Sequence, residues 1–259
     1  MLKTTLTFLG TSTSVGIPVI GCDCASCSSD DPKNDRMRSS VHIQTATHSI
    51  LVDSGPDLRQ QALRHNLRKV DAVLYTHCHL DHTAGFDELR AFCWRRDSPL
   101  PLYSSLSCLD ELSRVYAWAF SPENIYKGYI KPAVHPVAAP FMLGETKVTP
   151  LPVQHGSVET IGFRFDQAGQ PSIGYIPDAK SIPETTLDLL DGLDHFIIDA
   201  LRPSPHPTHL SLPEAIEIAQ AVGAKQTWLT HISHETDYLL EESKLPPNIR
   251  FAHDTLTLS

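Results

Sequence analysis

Positive charge is scarce in this chain. Its 259 residues carry 21 Lys and Arg against 30 Asp and Glu, a formal net charge of −9. That balance argues against a diffuse basic surface for nucleic acid, though not against a local patch. Long apolar runs are missing as well. No stretch approaches the ~18–20 residues needed to cross a bilayer, so no membrane span is expected. The segment Met1 to Gly21 is mildly apolar, but Gly10, Ser12, Ser14, Gly16 and Pro18 interrupt it. No small-x-small cleavage site follows, so it reads as a first strand and a glycine-containing turn, not a signal peptide. Spaced cysteine pairs are absent too. Cys22, Cys24 and Cys27 are clustered, whereas Cys78, Cys93 and Cys108 are scattered. A disulfide framework would need a secreted chain and paired spacing; the expectation is a reduced, cytoplasmic setting in which clustered cysteines point to metal.

What is present suits a sizeable globular core: 41% hydrophobic and 20% charged residues. At about 150 residues per domain the length leaves one or two domains open. No linker, internal repeat or low-complexity tract divides the chain, so a single domain over residues 1–259 is expected. Short β-rich runs fall at Thr5–Gly10, Val41–Thr45, Ser49–Asp53, Ala72–Thr76, Pro101–Ser104, Lys147–Val153, Thr160–Phe165, Ser172–Ile176, His195–Asp199 and Gln226–Thr230. Some are continuously apolar, as in strands buried on both faces. Helical patterns lie between them at Asp57–His65, Ala84–Arg95, Leu106–Trp118, Pro183–Leu190, Pro213–Val222 and Thr236–Glu242. This alternation predicts a layered α/β fold. The least regular stretch, Glu123 to Met142, reads as an insertion over a pocket or a long surface connection.

Histidine is the unusual entry in the composition, at 14 residues. Four potential ligands crowd into Thr76-His77-Cys78-His79-Leu80-Asp81-His82, which follows an apolar run and precedes a helical pattern. Alternation at a strand end puts His77 and His79 on one side, with Asp81 and His82 in the turn entering the helix. Imidazole and carboxylate donors suit Zn²⁺, Mn²⁺ or Fe²⁺. Four such ligands are too many for one open catalytic metal and imply two ions.

His77-x-His79-x-Asp81-His82 resembles the signature of the metallo-β-lactamase fold hydrolases, and the likeness extends over nearly the whole chain. It implies a four-layer αββα sandwich. It also implies later solitary ligands in order: His155, Asp178 and His231, each at the end of a predicted strand. By that resemblance His77, His79 and His155 hold one metal, Asp81, His82 and His231 hold the other, and Asp178 bridges them. Cys22-x-Cys24-x-x-Cys27 is one ligand short of a closed tetrahedral zinc site. In the subgroup resembling the phosphodiesterase of the carbon–phosphorus lyase pathway, the fourth is a histidine three residues after the last active-site histidine, which here is His234. The same subgroup carries a non-ligating histidine before a helix. His209 is the match, with His206 as the competitor.

The resemblance implies a metal-dependent phosphodiesterase acting on a small, cyclic ribose phosphate or nucleotide. Two Mn²⁺ or Zn²⁺ ions share an activated hydroxide, and one further Zn²⁺ is structural. Asp81 and His209 are the expected catalytic residues, His209 giving a proton to the leaving alkoxide. Asp53, before Ser54-Gly55, is expected to orient a ligand histidine. Arg202 is a phosphate contact or a solvated loop residue. Family habit implies a homodimer. The rival readings are an RNA-processing nuclease, a lactonase or thioesterase, and a non-catalytic cofactor-biosynthesis carrier. The net charge and the modest cluster Arg90, Arg95, Arg96 argue against RNA. The remaining His42, His48, His65, His135, His195 and His253 fit no ligand spacing.

Overall fold

The computed structural model describes residues 3–259 apart from Arg95, so Met1, Leu2 and Arg95 lie outside the described residues. The strands in chain order are β1 (Thr5–Gly10), β2 (Ser40–Gln44), β3 (Ser49–Val52), β4 (Ala72–Leu74), β5 (Leu100–Ser104) and β6 (Pro132–Pro136). Next come β7 (Phe141–Leu143), β8 (Thr146–His155), β9 (Val158–Asp166), β10 (Ile173–Ile176), β11 (His195–Asp199), β12 (Gln226–Thr230), β13 (Ile249–Phe251) and β14 (Thr257–Leu258). They form two sheets, ordered β14-β1-β2-β3-β4-β5-β6 and β13-β12-β11-β10-β9-β8-β7.

Each sheet begins with antiparallel pairs and then turns parallel, from β3 to β6 in the first and from β10 to β13 in the second. Parallel strands need crossovers, and the crossovers carry the helices. Between the sheets, Phe8, Val52 and Leu74 meet Phe163, Tyr175 and Ile197. Outside the first sheet, Leu58, Phe86 and Leu109 pack on Leu51 and Val73. Outside the second, Ala215 and Ala219 of the helix Leu212–Val222 pack with Phe196 and Ile198. These are the four αββα layers that the family resemblance implied. Burial of each such Leu, Ile or Phe contributes roughly 1.5–3 kcal/mol. No helix among the described residues is long and apolar enough to cross a membrane.

Several sequence expectations change. The helical pattern over residues 84–95 breaks into Phe86–Leu89, a 3₁₀ turn, and Arg90–Cys93. The break sits at Gly85, where a Cβ would lie 2.0 Å from the Gly55 carbonyl oxygen. Gly85 N–H donates to the Ser54 carbonyl at 2.8 Å, so the chain needs that close approach. The irregular stretch 123–142 contains β6 and most of β7, an edge strand in each sheet. Pro132 and Pro136 conceal β6, since proline is tolerated only at such edges. Finally, β4 ends at Leu74, two residues short of the expected end.

Candidate metal centre

The site residues gather at the C-terminal ends of strands from both sheets. His155 ends β8, Asp178 follows β10 by two residues, and His231 follows β12 directly. His77 and His79 lie beyond β4, in the loop that leads to the short helix Leu80–Thr83. Strand alternation therefore does not align them. Instead His79 stands at the N-cap position, and Asp81 and His82 lie in the helix itself, not in a turn before it. The outcome is convergence all the same: His77 Nε2 lies 2.8 Å from His79 Nδ1, and His155 Nε2 lies 3.3 Å from that nitrogen. Cys78 points away and packs on the outer core of the first sheet, which also holds Cys93 and Cys108.

A second group stands beside the first. His82 Nε2 lies 2.9 Å from one Asp178 oxygen, and His231 Nε2 lies 2.9 Å from the other. Asp81 is 3.4 Å from His82 and 3.6 Å from His231. Although close, His82 Nε2, His231 Nε2 and Asp178 Oδ2 are buried without a directed hydrogen bond. Such converging donor atoms match a cation at their centre, because an unpaired buried polar atom is otherwise costly. Both groups are clusters able to hold a metal ion.

The electrostatics divide the same way. Burial, then the neighbouring imidazoles, hold His77 well below its ordinary pKa; burial also lowers His79 and His155. These three are neutral, with lone pairs free to ligate. Burial opposes protonation of His231, but Asp178 outweighs it and raises its pKa to about 10. His82 is raised in the same manner by Asp178, Asp81 and Asp53. Without a metal, protons thus supply the positive charge that two buried carboxylates, Asp53 and Asp178, and the partly buried Asp81 demand.

Each imidazole is aimed by its other nitrogen. Asp53, fully buried, accepts from His82 Nδ1 at 2.8 Å. It also accepts from the Thr76 hydroxyl at 3.0 Å, which in turn is 3.0 Å from His77 Nδ1. One carboxylate therefore orients two histidines, which extends its expected role. His155 Nδ1 donates to the Thr208 carbonyl at 2.8 Å. Asp53 and His231 both take left-handed backbone conformations, φ 63° and 58°, uncommon for residues with a side chain.

His209, not His206, joins this arrangement. Its Nδ1 is 2.8 Å from Asp199 Oδ2, and its ring lies 4.6 Å from that of His155. His206 instead accepts from Thr208 N–H at 3.3 Å. Asp199 was not singled out from the sequence. The available signal was a carboxylate closing the apolar run of β11, at the same strand end as the other site residues. Arg202 is occupied by the Pro205 carbonyl and Glu235, a loop arginine and not a free phosphate contact.

The cavity over the cluster has a volume of about 300 Å³ and is lined by Ser14, Asp81, Ser157, Thr208 and His209, among others. Thr208 lines it, whereas residues 123–142, read from the sequence as an insertion over a pocket or a surface connection, do not. A larger recess of about 440 Å³ lies between outer helices near Leu63 and Trp94 and contains none of the metal-binding side chains.

The cysteine cluster is separate. His234 Nδ1 lies 3.2, 3.4 and 3.7 Å from the sulfurs of Cys22, Cys24 and Cys27. Tetrahedral zinc, with Zn–S near 2.3 Å and Zn–N near 2.0 Å, demands sulfur–nitrogen separations of about 3.5 Å. The Cys27 backbone N–H, with lesser help from other neighbours, draws the Cys24 thiol down to about 6, within reach of the thiolate at neutral pH.

Comparison with known proteins resolves the kinship. A family model, the beta-lactamase superfamily domain, matches residues 48–232. The chain belongs to that superfamily. Among solved structures, a diphosphatase from the PhnP family superposes with a TM-score of 0.91 and 40% identity, covering 99% of this chain and 97% of that one. The superfamily membership, the PhnP-family likeness and the αββα sandwich agree with the motif reading. An octanoyltransferase from Porphyromonas gingivalis is 34% identical over 96% of this chain but 50% of its own length. The chain thus spans half of that relative, whose name belongs to the longer protein. A ribonuclease Z from Bradyrhizobium diazoefficiens is 25% identical, covering 96% of this chain and 97% of the relative. The superfamily relationship and the metal-binding clusters support a hydrolase.

Proposed function

We propose that this hydrolase is a binuclear, metal-dependent phosphodiesterase acting on a small cyclic ribose phosphate or nucleotide. The observation that carries the reading is the seven-residue cluster of imidazoles and carboxylates, five of which line one cavity beside His209. In it His77, His79 and His155 would hold one divalent ion and Asp81, His82 and His231 the other, with Asp178 between the two groups. When bound, such ions supply Lewis acidity and an activated water. The nitrogen and oxygen donors suit Mn²⁺ and Zn²⁺ alike. Cys22, Cys24, Cys27 and His234 form a closed set suited to a structural Zn²⁺.

The chain's own residues do the rest. Asp53 and Thr76 fix His82 and His77, so their inward nitrogens need no reorientation during the reaction. Asp199 holds His209 through Nδ1. This leaves Nε2 as the nitrogen that gives a proton to the leaving alkoxide. The buried wall of β8, β10 and β12 keeps these groups in register.

A second reading is cleavage of a P–O–P linkage, favoured by the 40% identity to a diphosphatase. Both readings place a singly charged phosphoryl oxygen pair at the metals. A panel of cyclic phosphodiesters, disubstituted diphosphates, lactones and precursor tRNA separates them. The expected result is Mn²⁺-dependent hydrolysis of bis(p-nitrophenyl) phosphate and a cyclic nucleotide, abolished by His77→Ala. Turnover confined to lactones, or activity retained in His77→Ala, overturns the reading.

A further inference from the structure

The cavity wall outside the metal-binding cluster is neutral. Ser14, Ser157 and Thr208 line it together with Gly156 and Val158, and no Lys or Arg lines it among the described residues. Three basic side chains belong to the segments that frame the cavity, and each already has an acidic partner. Arg38 donates to the Ser14 carbonyl at 3.2 Å and is held by Asp57 at 3.0 Å. Lys180, two residues beyond Asp178, lies 2.7 Å from Glu214. Arg202, in the loop leading to Thr208 and His209, lies 3.3 Å from Glu235. A remote dianionic phosphate placed against this wall, away from the metal-binding cluster, meets no cationic side chain to pair with. Hydroxyl groups, which donate and accept, instead match the hydroxyls of a sugar.

We infer that the site selects substrates whose negative charge is confined to the linkage being cleaved, flanked by a neutral polyol such as an unphosphorylated sugar. This rests on the phosphodiesterase reading above and adds to it a rule of charge. A second phosphate, remote from the scissile bond, is selected against. The rule covers 5′-phosphorylated sugars and RNA strands together. Ser157, exposed at the β8–β9 turn, is the residue that sets it.

The test compares the Mn²⁺-loaded protein on adenosine 2′,3′-cyclic phosphate and on the same nucleotide carrying a 5′-phosphate. The unphosphorylated substrate is expected to have the higher kcat/KM by about tenfold or more. Ser157→Lys should narrow that gap by about three- to fivefold, as an exposed ion pair allows. In calorimetric titration the same variant should bind adenosine 2′,5′-bisphosphate more tightly than wild type does, with adenosine 2′-phosphate unchanged. Ser157→Ala should raise KM for the nucleotide but not for bis(p-nitrophenyl) phosphate, which has no sugar. Equal or faster turnover of the 5′-phosphorylated substrate by wild type overturns the charge rule alone. Failure to cleave any phosphodiester overturns it together with the function on which it rests.

Discussion

His231 and His234 are three residues apart and stand in opposite kinds of site. His231 is buried among carboxylates beneath an open cavity. His234 completes a set of three thiols at the surface end of the same loop. The first site has more donors than one ion needs and a space beside them; the second has four donors and none to spare. Softness differs as well: oxygen and nitrogen around the cavity, sulfur around His234. Position along the chain therefore says little about role. The number of donors, their chemistry and the room left beside them say more.

The largest expected effect breaks the first site. His77→Ala should lower kcat/KM for bis(p-nitrophenyl) phosphate by about 10³-fold or more, with circular dichroism unchanged. Next is the proton donor. His209→Ala should lower kcat by about 10²–10⁴-fold for an alkoxide leaving group and far less for p-nitrophenolate, which needs no proton. Asp199→Asn should act in the same direction and more weakly; equal losses on both leaving groups would remove His209 from proton transfer.

Cys24→Ser sharpens the contrast from the other side. Thermal unfolding should shift down by about 5 °C or more, while kcat of the folded, metal-loaded variant stays within about threefold of wild type. Elemental analysis should show one zinc fewer. Mild chelation should silence catalysis before it removes the thiolate-bound zinc. Loss of catalysis in Cys24→Ser at normal stability would make the two sites one functional unit.

The smallest effect concerns pH. Glu214 caps its helix through Ser211 and pairs with Lys180. Burial opposes ionisation, but these hydrogen bonds prevail and lower its pKa from 4.5 to about 2. A depressed carboxyl stabilises the fold above its unfolded value, and that stabilisation fades as pH falls from 4.5 towards 2. Glu214→Gln should therefore flatten a urea-unfolding series over that window and change little at pH 7.

Compact β-rich segments, alternating or continuously apolar, were legible from the sequence. β1, β11 and β12 match their expected bounds residue for residue. The histidine motif was legible because ligands bunch where a strand ends. Its backbone was not, because Tyr75–His79 leaves the strand early and His79 reaches the centre from a helix cap. β6 and β7 stayed hidden behind prolines and a short edge. Asp199 stayed hidden because one carboxylate at the end of an apolar strand has no spacing to announce it. Only its 2.8 Å contact with His209 does so.

The candidate metal ligands come from both sheets: His77, His79, Asp81 and His82 from the loops of the first, His155, Asp178 and His231 from the second. Neither half of the chain carries a complete centre. During folding, the two halves must dock before all seven donors meet, so full metal uptake is expected to follow that docking step. A stopped-flow trace of metal uptake would time the closing of the sandwich, with no label attached to the protein.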